Sequence, residues 1–130
     1  MIHYRPVTLD DFQQVRDLLE ACGIEQRQSE ESRLRRMIDN ADRTVGAFEG
    51  DRLVGFASAL CDEAFNGYIG TVCVHPAHRG QGTGTELVNQ ITEDSPEITW
   101  LVRATENTAA FWQKHGFTHS ELGMEKHRER

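Results

Sequence analysis

Three glycines at alternate positions, Gly80, Gly82 and Gly84, separate an apolar run from a segment with helical periodicity. The run before them, Tyr68-Ile69-Gly70-Thr71-Val72-Cys73-Val74, reads as a strand, and Leu87, Val88 and Ile91 after them fall on one helical face. A strand, a glycine turn and a helix N-terminus form a backbone cradle. Glycine reaches φ > 0 and lets a ligand approach the main chain. The unpaired N–H groups of a helix start and the positive end of its dipole then favour an anion, phosphate above all. Arg79 stands at the head of the turn as a bidentate donor.

Two familiar phosphate loops do not fit. A Walker loop ends in Gly-Lys-Ser/Thr, whereas Gly84 is followed by Thr85. A dinucleotide fingerprint sets its first and last glycines five residues apart, and Gly80, Gly82 and Gly84 lack that spacing.

At 130 residues the chain is expected to be one domain, residues 1–130, with a core of its own. No stretch approaches the ~18 apolar residues that span a bilayer. Met1-Ile2-His3-Tyr4-Arg5-Pro6 has no signal-peptide core. A cytoplasmic protein without a membrane partner is expected. The net charge of −7 argues against nucleic acid, whose backbone rewards a basic face. Arg33, Arg35 and Arg36 lie beside Glu30 and Glu31, which reads as a solvated, ion-paired helix face. Cys22, Cys61 and Cys73 are widely spaced in apolar runs and read as reduced thiols.

A strand is expected over residues 2–6. A helix capped by Thr8 and Asp11 follows, using Leu9, Phe12, Val15, Leu18, Leu19 and Cys22 and closing at Gly23. A weaker helix covers about 30–39, after the polar stretch Gln26–Ser32. Thr44–Phe48 and Leu53–Leu60 form a hairpin, with Gly55 marking a bulge or a close approach. The strand at 68–74, a helix to Thr92, a strand at Ile98–Val102, a helix at Asn107–His115 and a last strand from Gly116-Phe117 to about Lys126 complete the order. The closing residues, through Arg130, read as a strand end that frays. This is a mixed α/β chain: an antiparallel meander, then one β-α-β crossover.

With that order, the chain resembles the GNAT superfamily of N-acetyltransferases. Val72-Cys73-Val74-His75-Pro76-Ala77-His78-Arg79-Gly80-Gln81-Gly82-Thr83-Gly84 is similar to the family's strand and pyrophosphate loop. Asn107 through Phe117 is similar to its pantetheine-side helix and Gly-Phe strand start. The resemblance implies a mostly antiparallel sheet with one splayed parallel pair and about four flanking helices. It implies acetyl-CoA as cosubstrate, with Arg79, Gly80, Gln81, Gly82, Thr83 and Gly84 on the pyrophosphate. Val72, Cys73 and Val74 would pair with the pantetheine amides, a Val74 N–H would hold the oxyanion, and Asn107 and Phe111 would contact the arm. Trp100, Val102 and Phe111 would line the cofactor wall or pack the core.

The implied reaction is direct transfer of acetyl to a primary amine of a small molecule or peptide. The amine must be neutral to attack, so a general base or a desolvating pocket has to remove its proton. Glu63, Asp62 and, through water, His75 are the candidate bases, with surface solvation the alternative for each. Trp112 stands where relatives commonly hold a tyrosine acid, and an indole N–H cannot serve as one. A thiol near pKa ~8.5 can leave without it. Thr105 or Asn107 occupies the family's asparagine position. The acceptor is expected between the first two helices and the C-terminal strand, where an acidic groove from Asp62, Glu63 and nearby carboxylates would weakly favour a cationic amine. Monomer and homodimer are both compatible with the resemblance. Two rivals stand beside the enzyme: a non-catalytic acyl-CoA-binding sensor of the same fold, and a metal site at Cys73, His75 and His78. The latter lacks a fourth ligand, so no metal is expected.

Overall fold

The computed structural model describes residues 1–24, 30–93 and 95–129. Most of the polar stretch before the second helix (26–29) and the terminal Arg130 lie outside the described residues. Five strands form one sheet in sequential order: β1 (Ile2–Arg5), β2 (Arg43–Glu49), β3 (Arg52–Cys61), β4 (Asn66–Val74) and β5 (Thr99–Val102). The first four pair antiparallel, and β4 pairs β5 in parallel. Among the described residues four helices flank it: α1 (Phe12–Ala21), α2 (Glu31–Asn40), α3 (Thr83–Thr92) and α4 (Ala109–Lys114).

Two apolar layers sandwich the sheet. Val15, Leu18 and Leu19 of α1 and Leu34 and Ile38 of α2 pack on Phe48, Leu53, Phe56 and Cys73. On the other face Leu87, Val88 and Ile91 of α3 and Trp112 of α4 pack on Val45, Ala47, Val54, Ala57 and Ile69. Burying side chains of this size contributes roughly 1.5–3 kcal/mol each, which anchors all four helices.

Local chemistry sets the boundaries. Thr8 and Asp11 form a reciprocal capping box, as the sequence predicts, but it caps a single 3₁₀ turn at Leu9–Asp11 that runs into α1. Gly23 closes α1 with φ +79°. The β2–β3 hairpin turns at Gly50, φ +59°. Beside Gly55 the β2–β3 register slips by one residue, and a Cβ on Gly55 would stand 3.0 Å from Leu87 Cδ1. Both readings of that glycine, bulge and close approach, are therefore present.

A second slip is absent from the sequence reading. Ser58 pairs Thr71, yet Ala59 pairs Ile69, so Gly70 is a bulge in β4. The extra residue resets the alternation: Ile69, Val72 and Val74 all join the α3 layer, while Cys73 faces α1 and α2.

One predicted element is missing. Beyond Gly116 no strand forms among the described residues, and residues 118–129 are exposed and without regular structure. Leu122 and Met124 are 93% and 98% exposed. With so few apolar side chains and no periodic face, the segment has no buried surface to offset the entropy of joining a sheet.

Candidate functional site

The parallel pairing of β4 and β5 ends at Ile69 and Val102, while β4 runs on to Val74. Residues 70–74 thus border a wedge with no strand on that side among the described residues. The direction of their amides follows from one bond. His75 N–H donates to Val54 O at 2.8 Å, which makes that pair the hydrogen-bonded kind. Antiparallel pairs alternate, so Val74 opposite Gly55 and Val72 opposite Ala57 turn their N–H and C=O groups away from β3 and into the wedge.

The wedge opens onto the glycine loop. Gly80 and Gly82 have φ +77° and +83°, which an L side chain rarely adopts. A Cβ at either would meet nothing within 4 Å, so the space above the loop is open. Gly82 is the N-cap of α3, and no side chain bonds the helix start. Glu86 is the first residue whose N–H is bonded along α3, to Gly82 O at 3.0 Å. Gly80 through Thr85 therefore present N–H groups without acceptors among the described residues. Gly84 serves differently: its missing Cβ would stand 3.4 Å from Phe111 Cε1, so the glycine admits the Phe111 ring beside the first turn of α3. A row of free amides at a helix start, with no competing cap, fits a diphosphate.

Arg79 departs from the expected bidentate donor. Its Nε donates inward to Val74 O at 3.0 Å, which ties the loop to the end of β4.

Other predicted residues lie elsewhere. Glu63 precedes β4 at the end opposite Val74. Asn66, the first residue of β4, is already about 26 Å from Val74 by strand rise. Arg43 grips Glu63 at 2.7 and 3.1 Å, and the Cys61 thiol donates to it at 2.6 Å. Arg43, then Cys61, hold its carboxyl down to about 2. A carboxylate so placed and so stabilised is poorly suited to the general-base role expected of it. Asp62 is likewise engaged, accepting the N–H groups of Ala64, Phe65 and Asn66. His75 accepts from Ala77 N–H through Nδ1 at 3.0 Å.

Trp112 is 9% exposed and packs edge-on against Phe111 and Phe117, centroids 5.1 and 5.2 Å away. It anchors α4. Trp100 covers Gly67 at the closed end of the β4–β5 pair, with Arg43 over its ring at 5.2 Å, so it packs the sheet away from the wedge. Thr105 and Thr108 exchange bonds across the turn that starts α4. Asn107 is exposed, with no hydrogen bond to the described residues.

A cavity of about 540 Å³ lies between α2 and the sheet, on the face opposite α3. Leu34, Met37, Leu60 and Tyr68 form apolar walls, Gly70 and Thr71 its floor beside the wedge. Its charged rim is Glu30, Arg33, Arg36 and Arg128. Among the described residues of this rim, cations outnumber the one carboxylate, unlike the acidic groove expected around Asp62 and Glu63. Arg33 pairs with Glu30 and Arg35 with Glu31, as the ion-paired-face reading has it, but Arg36 makes no ion pair among the described residues.

The acetyltransferase (GNAT) family profile matches residues 12–117. An uncharacterized N-acetyltransferase ycf52-like protein of Prochlorococcus marinus is 29% identical over 115 residues, 83% of this chain and 63% of the relative. The ycf52 protein of Pyropia yezoensis is 35% identical over 51% of this chain and 40% of its own length. The chain thus spans less than two thirds of these relatives. A probable acetyltransferase from Staphylococcus aureus superposes with a TM-score of 0.83 at 18% identity, over 98% of this chain and 100% of that one. The PaiA N-acetyltransferase of Thermoplasma acidophilum, solved in complex with coenzyme A, gives 0.72 at 15% identity, over 95% and 93%. With a family profile over most of its length and the same fold in these structures, the chain belongs to the GNAT acetyltransferase family.

Proposed function

We propose that the protein transfers the acetyl group of acetyl-CoA directly to a primary amine that has an apolar body and an anionic group. The observation supporting this most is the continuity of the wedge with the loop: strand-edge amides at Val72 and Val74 run into the uncapped start of α3. A ligand with two amides and a diphosphate matches that row. When bound, acetyl-CoA supplies a thioester carbonyl open to attack.

The chain's own residues do the rest. N–H groups of Gly80 through Gly84 hold the diphosphate, and Arg79 fixes the loop against β4. Val72 and Val74 offer strand-like pairing, and the Val74 N–H is the donor for a developing oxyanion. Phe111 borders the arm, with exposed Asn107 near its path. The acceptor enters the cavity beneath α2. Apolar walls and a rim of arginines both lower an amine's pKa, by desolvation and by like charge. The cavity thereby yields a neutral nucleophile without a carboxylate base.

The test is thiol release from acetyl-CoA across amines matched in size, with and without a carboxylate. Preference for the carboxylated amines is expected. Preference for polyamines would overturn the acceptor assignment. Trp112, buried where relatives hold an acid, favours a second reading as a non-catalytic acyl-CoA-binding module. That reading predicts stabilisation by CoA and no thiol release with any amine.

A further inference from the structure

The backbone of Cys73 borders the wedge, but its side chain points the other way, into the α1–α2 layer. Cys22, at the C-cap of α1, packs against that same cluster and hydrogen-bonds the Cys73 thiol. Its Sγ also donates to Val74 O at 3.4 Å, the carbonyl that Arg79 holds at 3.0 Å. Two thiols and a guanidinium thus converge where α1, β4 and the glycine loop meet. The thiols differ in access: Cys22 is half-buried, whereas Cys73 is 7% exposed.

We propose that Cys22 and Cys73 form a redox pair that closes to a reversible disulfide. Cys22 is the attacking thiol, Cys73 the resolving thiol, and a low-molecular-weight disulfide the oxidant. The Cys22 thiolate attacks one sulfur of the oxidant, forming a mixed disulfide and releasing one thiolate. The Cys73 thiol gives up its proton and attacks Cys22 Sγ, and a second thiolate leaves. The protein loses two protons and two electrons, and the oxidant becomes two thiols.

The environment suits the first step. The hydrogen bond from Cys73 and then the Arg79 cation bring the Cys22 thiol down to about 6, close to the optimum for exchange at neutral pH. An accessible low-pKa thiol beside a buried partner is the arrangement of a redox-sensing pair. Closure would remove the Cys22 donor from Val74 O and tether α1 to β4 at the foot of the loop, so the oxidised protein should bind CoA differently. The pairing itself is independent of the catalytic reading above.

The experiment uses the full chain with oxidised glutathione near neutral pH, then alkylation, intact mass and peptide mapping. Expected are the loss of two hydrogens, a Cys22–Cys73 cross-linked peptide and full reversal by dithiothreitol, all preserved in Cys61→Ser. In Cys73→Ser the reaction should stop at a glutathione adduct on Cys22, and in Cys22→Ser neither product should form. Circular dichroism checks that each variant is folded. A stable Cys22 adduct in the unsubstituted chain, cross-links through Cys61, or two thiols that stay reduced would each overturn the pairing.

Discussion

Arg79 Nε donates to Val74 O across the corner between the glycine loop and β4, at 3.0 Å. The bond makes the loop's position depend on the strand that borders the wedge. Replacing Arg79 with Ala frees the loop and removes a cation near the cradle. An exposed charge-assisted bond of this kind is worth about 1 kcal/mol. CoA should bind roughly fivefold more weakly, read by isothermal calorimetry. Unchanged affinity would separate the loop from the cofactor.

Gly82 separates conformation from charge. At φ +83° an alanine costs about 1–2 kcal/mol, so Gly82→Ala should lower Tm by a few degrees and still respond to CoA. Gly82→Glu adds a carboxylate to a cradle for anions and should abolish CoA-induced stabilisation. Thermal shift with and without CoA reads both variants.

Glu63 should be dispensable for chemistry. Glu63→Gln breaks the pair with Arg43 but lies at the far end of β4, so kcat should stay within about twofold, a rate difference of ~0.4 kcal/mol in barrier height. A hundredfold loss in steady-state assays would restore it as the base.

Arg36 lies on the cavity rim and makes no ion pair among the described residues. Reversing its charge with Arg36→Glu should raise KM for carboxylated amines about tenfold, an effect of ~1.4 kcal/mol. The Kd for CoA should not move. Equal effects on both ligands would argue against a rim contact with the acceptor.

Asp11 links the fold to pH. Arg5, then burial working against it and the Thr8 N–H working with Arg5, leave its carboxyl below the ordinary value. Arg5 bonds it at 2.9 and 3.0 Å. A lowered folded pKa gives stability that is present above the unfolded value near 3.9 and is lost as pH falls through the folded one. Asp11→Asn should therefore cost about 1–3 kcal/mol at pH 7 and progressively less below pH ~4. Urea denaturation across that range measures the slope.

The glycine loop was readable because Gly80 and Gly82 are demanded by backbone conformation, which leaves a mark in residue type. Helix faces such as Val15, Leu18 and Leu19 were readable for the same kind of reason, since burial imposes a period. The bulge at Gly70 left no such mark: a glycine in a strand signals irregularity, yet Gly55 and Gly70 look alike in the chain. The separation of Glu63 from Val74 was not legible because distance along a strand appears only when its ends are fixed. The cavity's cationic rim joins Arg33 and Arg36 to Arg128, a neighbourhood no local pattern encodes. The final strand was read from the break at Gly116-Phe117, and the composition after Phe117 lacks the apolar faces to hold it.

The single extra residue at Gly70 sets which side of the molecule each later side chain of β4 serves. Were Gly70 instead paired in regular register opposite Ser58, Val72 and Val74 would rotate toward α2 while Thr71 and Cys73 would be driven into α3. The cavity beneath α2 and the thiol pair would then lose their linings in one stroke. One residue of slack in the middle of a strand is what allows the two halves of the molecule to be upholstered separately.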